Sequence, residues 1–83
     1  MNNMAIENIE ERLIEEISVI LSIDPSMIIP DTQLHSLGLD SLRFVELLVF
    51  IEKKFNVNLM ESGLTREDFR TIRSLATCIN KMR

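Results

Sequence analysis

The run Leu37-Gly38-Leu39-Asp40-Ser41-Leu42 holds the residues best suited to chemistry. Asp40 reads as a helix cap and Ser41 as the first helical residue, so the serine hydroxyl stands where first-turn N–H groups and the helix dipole favour an anion. A phosphate ester on Ser41 would sit well in that field. Gly38 supplies backbone freedom for the entry, while Leu37 and Leu39 hold the segment down. An ordinary helix-start serine is the simpler alternative. A hydrolase reading makes Ser41 a nucleophile, His35 its base and Asp40 the orienter, but the Gly-x-Ser-x-Gly elbow is absent and 83 residues offer little cleft or oxyanion hole. His35 reads instead as a solvated loop residue. Asp24, Asp31 and Asp40 are widely spaced, and one histidine with one cysteine gives no ligand cluster, so no metal site is expected. Cys78 reads as a small, partly buried apolar residue.

The elements around this run follow from apolar spacing. Ile6, Ile9, Leu13, Ile14, Ile17, Ile20 and Leu21 keep a 3.6-residue rhythm among Glu7, Glu10, Glu11, Arg12, Glu15 and Glu16, which predicts a first helix capped by Asn2 or Asn3 and ending near Leu21 or Ser22. Asp24-Pro25 blocks its continuation, and Asp24 can cap one further turn with Pro25 in its first position. From Ile23 to Asp40 no period holds, so a long loop is expected, anchored by Met27, Ile28, Ile29, Leu34, Leu37 and Leu39. A second helix runs from Ser41 to about Lys54. Its stripe of Phe44, Leu47, Leu48, Ile51 and Phe55 is the core face. Leu42 and Val49 then lie nearly opposite, beside Arg43, Glu46 and Lys53, with Val45 on the flank. After a short extended connection over Phe55-Asn56-Val57-Asn58-Leu59, a capping box of Thr65 and Asp68 predicts a short helix near Arg66 to Arg70. Thr71 can cap a last helix carrying Ile72, Leu75, Ala76, Ile79 and Met82. Met27, Ile28, Met60 and Phe69 read as core or cavity lining. The expected fold is all-α: a four-helix bundle of three longer helices and a short third one, with a long loop between the first and second.

Composition bounds the function. Eighty-three residues are one small domain, here 1–83, because such chains bury only about 60% of their unfolded surface. Apolar residues make up 46% and charged residues 27%, which predicts a packed core. A net charge of −4 argues against a free-standing nucleic-acid binder. The longest apolar run, Leu47 to Ile51, falls far short of the ~20 residues of a membrane span, and the acidic start shows no signal-peptide pattern. A single cysteine in a domain this small fits a reducing cytoplasm. The charge is uneven: Met1 to Asp40 carries eight acidic and one basic residue, whereas Ser41 to Arg83 carries five acidic and eight basic.

These residues together resemble the acyl carrier protein family, including its peptidyl and aminoacyl carrier domains. The resemblance covers nearly the whole chain: the first helix, the long loop, Leu37-Gly38-Leu39-Asp40-Ser41-Leu42, then Val45-Glu46-Leu47, Phe55 and a closing pair of helices. It implies that Ser41 is the attachment point of 4′-phosphopantetheine, installed from coenzyme A by a separate phosphopantetheinyl transferase. Asp40 then orients the site, with a transferase-bound magnesium within its scope. The resemblance implies a free-standing, monomeric, non-catalytic carrier holding an acyl or aminoacyl group as a thioester. An adenylating ligase would load it, and a downstream transferase or synthase of a fatty-acid, polyketide, nonribosomal-peptide or related pathway would unload it. Leu42, Arg43, Val45, Glu46, Val49 and Lys53 form the expected partner-docking face, an apolar cluster rimmed by charge. Arg43 and Lys53-Lys54 depart from the strongly acidic face of many fatty-acid carriers, which leans the reading toward an aminoacyl or specialised acyl pathway. An unmodified helical adaptor binding through the same face is the alternative.

Overall fold

The computed structural model describes residues 4–59 and 66–82. These form three α-helices, α1 (Met4–Leu21), α2 (Ser41–Phe55) and α3 (Ile72–Met82), with no β-strand among the described residues. The helices pack around one core. α1 contributes Ile9, Leu13 and Ile17, spaced four apart and fully buried. α2 contributes Leu47, Leu48 and Ile51, and α3 contributes Ile72, Leu75, Ala76 and Ile79. Phe44 and Phe55 pack partly buried against this cluster, so the α2 face read from the sequence is the face that enters the core. No described helix is long and apolar enough to cross a membrane.

α1 stops where the Asp24-Pro25 pair requires. Ser22 adopts a left-handed conformation at φ 58°, and the Ile23 N–H donates to the Ser18 carbonyl, a closure of the Schellman type. The candidate caps Asn2 and Asn3 lie outside the described residues, as do Thr65 of the expected capping box and Met60. α2 runs one residue past Lys54 and ends as Asn56 turns left-handed at φ 56°. Beyond it Val57 and Leu59 are buried while Asn58 faces out, and the expected extended connection is broken by the left-handed Asn56 and by the 3₁₀ conformation of Leu59.

The segment before α2 departs in part from expectation, since besides the expected turn, Pro25–Met27, it holds a second 3₁₀ turn, Leu34–Leu37. Asp24 caps the first of them as expected, accepting the Ser26 N–H at 2.9 Å, and that bond holds its carboxyl below the usual range. Ile28, Leu34, Leu37 and Leu39 do anchor the segment. Met27 and Ile29 do not: they are 73% and 58% exposed. Ile28 is extended, so when its side chain turns into the core its two neighbours turn out. Met27 is therefore neither core nor cavity lining. In the place of the short helix, the described residues form a single 3₁₀ turn, Arg66–Phe69.

The segment is fastened at its far end to the start of α3. The Leu34 N–H donates to the Arg70 carbonyl at 3.0 Å, and Gln33 and Thr71 form an isolated bridge. Thr71 caps α3 through its hydroxyl, which accepts the Ser74 N–H at 3.1 Å. Glu10 differs from its sequence reading too. Although its spacing sets it among the polar residues of α1, it is buried and pairs with Arg73 of α3.

Candidate functional site

The site begins at the turn that delivers Ser41. Leu34–Leu37 closes with Gly38 in the left-handed region at φ 83°, where its N–H donates to the His35 carbonyl. A side chain there would meet nothing within 4 Å, so glycine answers to the backbone conformation and not to crowding. Leu39 then packs partly buried, and Asp40 follows in extended conformation. The Asp40 carboxylate accepts the Arg43 N–H at 2.9 Å and its carbonyl accepts the Phe44 N–H at 2.8 Å. The first of these satisfies an orphan donor of the first turn, and the second is the first regular bond of the helix. Ser41 is the first residue of α2 and exposed.

Leu39 and Phe44, which flank Ser41 in sequence, line an open cleft of about 680 Å³. Its deeper wall is apolar, made by buried Leu34 with half-buried Leu39, Phe44 and Phe69, while the exposed Gln33, His35 and Arg70 stand at its rim. Phe44 and Phe69 meet edge to face, ring centroids 4.9 Å apart and planes at 89°. Phe44 is one helical turn from Ser41, where side chains start about 5–6 Å apart. Phe69 as cavity lining agrees with the sequence reading. His35 is exposed, in agreement with a solvated residue, and stands in a 3₁₀ turn that borders the cleft.

The expected docking residues share one surface with a single qualification. Leu42, Val45 and Val49 are 71%, 53% and 45% exposed, and Glu46 and Lys53 are exposed around them. Arg43 is exposed, yet its side chain is engaged within the chain, where Nη1 donates to the Ile20 carbonyl at 2.7 Å and ties the start of α2 to the end of α1. That bond joins residues twenty-three apart in sequence. No local pattern signals it. The sequence reading named Phe69 as core or cavity lining but not the other walls of the cleft, because Leu34, Phe44 and Phe69 come together only through the fold. Among the described residues no group of three or more His, Cys, Asp or Glu side chains is arranged to hold a metal.

A short helical bundle that brings an exposed serine to the start of its second helix, between two residues that line an open cleft, has the form of a carrier domain. Comparison with known proteins agrees. The family model for the C-terminal ACP domain of the highly reducing polyketide synthase sdgA matches residues 1–83. An acyl carrier protein of Onion yellows phytoplasma is 38% identical over 72 residues, 86% of this chain and 92% of that protein. Aminoacyl carrier protein 2 of Bradyrhizobium diazoefficiens is 28% identical over 81 residues, 95% of this chain and 90% of its own. The highly reducing polyketide synthase Preu5 of Preussia isomera is 36% identical over 78 residues, 94% of this chain but 3% of that much longer protein. The chain belongs to the acyl carrier protein family, whose members are carriers and not catalysts.

Proposed function

We propose that this protein carries an acyl or aminoacyl group as a thioester on 4′-phosphopantetheine attached to Ser41. The observation that carries the reading is the exposure of Ser41 as the first residue of α2, directly after the cap that Asp40 provides. The residues present fit the group: an exposed hydroxyl is open to a transferase, and a helix N-terminus suits the phosphodiester. When bound, the group supplies the thiol on which cargo is held. Asp40 sets the orientation of the first turn, and Arg43 fixes that turn against α1.

Leu42, Val45 and Val49, with Glu46 and Lys53 at their edge, would meet the transferase, the loading ligase and the unloading enzyme in turn. Short-lived docking needs an apolar patch of this modest size with a charged rim. Because α2 onward is net basic, mixed charge and apolar contact would select the partners. Arg43 counts for less in that selection, since its guanidinium serves α1. The likeness to an aminoacyl carrier and to polyketide synthase domains supports an aminoacyl or specialised acyl pathway, and the lone cysteine favours a reducing cytoplasm.

Incubation with coenzyme A and a broad-specificity phosphopantetheinyl transferase tests the assignment. The wild type gains one phosphopantetheine in mass and Ser41→Ala gains none. No gain in the wild type would overturn the carrier reading and leave the adaptor alternative, in which the α2 face binds a partner without modification.

A further inference from the structure

The first turn of α2 has little packing of its own. Ser41, Leu42 and Arg43 are all exposed, and the first side chain of α2 to meet the core, Phe44, is only partly buried. Helix ends held this loosely fray. Among the described residues one hydrogen bond joins the turn to another helix, from Arg43 Nη1 to the Ile20 carbonyl at 2.7 Å. That bond fills a vacancy at the end of α1. α1 has no basic residue in its last turn, and of its closing carbonyls Ser18 is taken by the Ile23 N–H and Val19 by the Ser22 N–H, which leaves Ile20 to a donor from elsewhere. A guanidinium at this point also meets the negative end of the α1 dipole. The backbone of the same residue is fixed as well, since the Arg43 N–H donates to the Asp40 carboxylate at 2.9 Å. Ser41 lies between these two residues in the chain. Without the Arg43 side chain, the turn would be held by the packing of Leu39 before it and Phe44 after it.

We propose that Arg43 is a positioning residue for the modification of Ser41: by tying the first turn of α2 to the end of α1 it holds the serine hydroxyl in line for transfer, and it contributes little as a docking charge. The inference rests on the attachment of the arm at Ser41, and its test separates the two. In that transfer Ser41 Oγ bonds to the phosphorus that bears pantetheine, and the bond from that phosphorus to the bridging oxygen of coenzyme A breaks. Adenosine bisphosphate leaves, and the hydroxyl proton is released to solvent. A frayed turn takes Oγ out of line and lowers the rate within the bound complex, whereas loss of a docking charge weakens binding.

Steady-state modification by a broad-specificity phosphopantetheinyl transferase, at saturating coenzyme A and varied carrier concentration, is compared for wild type, Arg43→Gln and Ile79→Val. Glutamine is too short to reach the α1 carbonyl and carries no charge. Ile79 is buried on α3, so its truncation lowers stability away from Ser41. Arg43→Gln is expected to lower kcat about threefold with KM unchanged, the scale of one exposed hydrogen bond from a charged group. Its amide at position 43 should exchange hydrogen faster than in the wild type. Ile79→Val should lower the urea midpoint and leave kcat and that amide unchanged. A rise in KM at constant kcat overturns the proposal in favour of a docking charge. Equal kcat in wild type and Arg43→Gln overturns it as well, and so does a fall for Ile79→Val as large as that for Arg43→Gln. A wild type that gains no mass overturns the assignment of Ser41 on which the inference rests.

Discussion

Cys78 is half-buried on α3 and its thiol is pushed above the ordinary value, first by burial and then by the nearby Asp68 carboxylate, with Lys81 opposing. The thiolate is the reactive form, so this side chain is a poor nucleophile near neutrality. Alkylation of Cys78 by iodoacetamide at pH 8 is expected to run at least about threefold slower than that of an exposed model thiol, followed by mass. An equal rate would mean that the thiol is neither shielded nor perturbed. The consequence is practical: a thiol on Ser41 could be labelled in preference to Cys78. At the same scale Asp40 and Arg43 show how adjacent residues divide their work. Asp40 satisfies the helix start that offers Ser41, and Arg43 reaches across to the Ile20 carbonyl.

α2 has two faces with opposite duties. Leu48 faces the core at 8% exposure and Val49, its neighbour, faces solvent at 45%. Leu48→Ala is expected to cost about 2–5 kcal/mol, the range for truncating a buried leucine, whereas Val49→Asp should leave the urea midpoint nearly unchanged. Loading by the cognate ligase should respond in the reverse order, slowing for Val49→Asp if that face is the dock. Denaturation that ranks the two variants the other way would refute the assignment of faces. The stripe was legible in the sequence because 100° steps fix which residues share a side, and core side chains repeat on that period. The segment before α2 was legible only in part. Its anchors were named, but whether Met27 or Ile28 turned inward depended on a 3₁₀ turn and one extended residue.

Across the whole molecule, Arg73 holds three parts together. Its Nη1 donates to Asp31 at 2.9 Å, its Nε lies 3.7 Å from the buried Glu10, and its N–H donates to the Pro30 carbonyl. The segment that leads to Ser41 is thus clamped to α3, and Arg73 joins both to α1 through Glu10. Arg73→Ala would leave Glu10 without its cation, and the expected loss is about 1–2 kcal/mol, less than for a fully buried pair because Arg73 is half exposed. Urea denaturation measures it. An unchanged midpoint would show that the clamp adds nothing to stability.

The sequence by itself determined the helical class, the α2 core stripe, the position of Ser41 after its cap and the likeness to the acyl carrier family. The first three depend on neighbours within a turn or two, where backbone geometry ties spacing to direction, and the likeness on short motifs spread along the chain. Only the tertiary structure decided the rest: the Arg43 bond to α1, the burial of Glu10 against Arg73, and the cleft made by Leu34, Phe44, Phe69 and Arg70. These join residues far apart along the chain, and their proximity follows from how the helices pack, which no local period encodes.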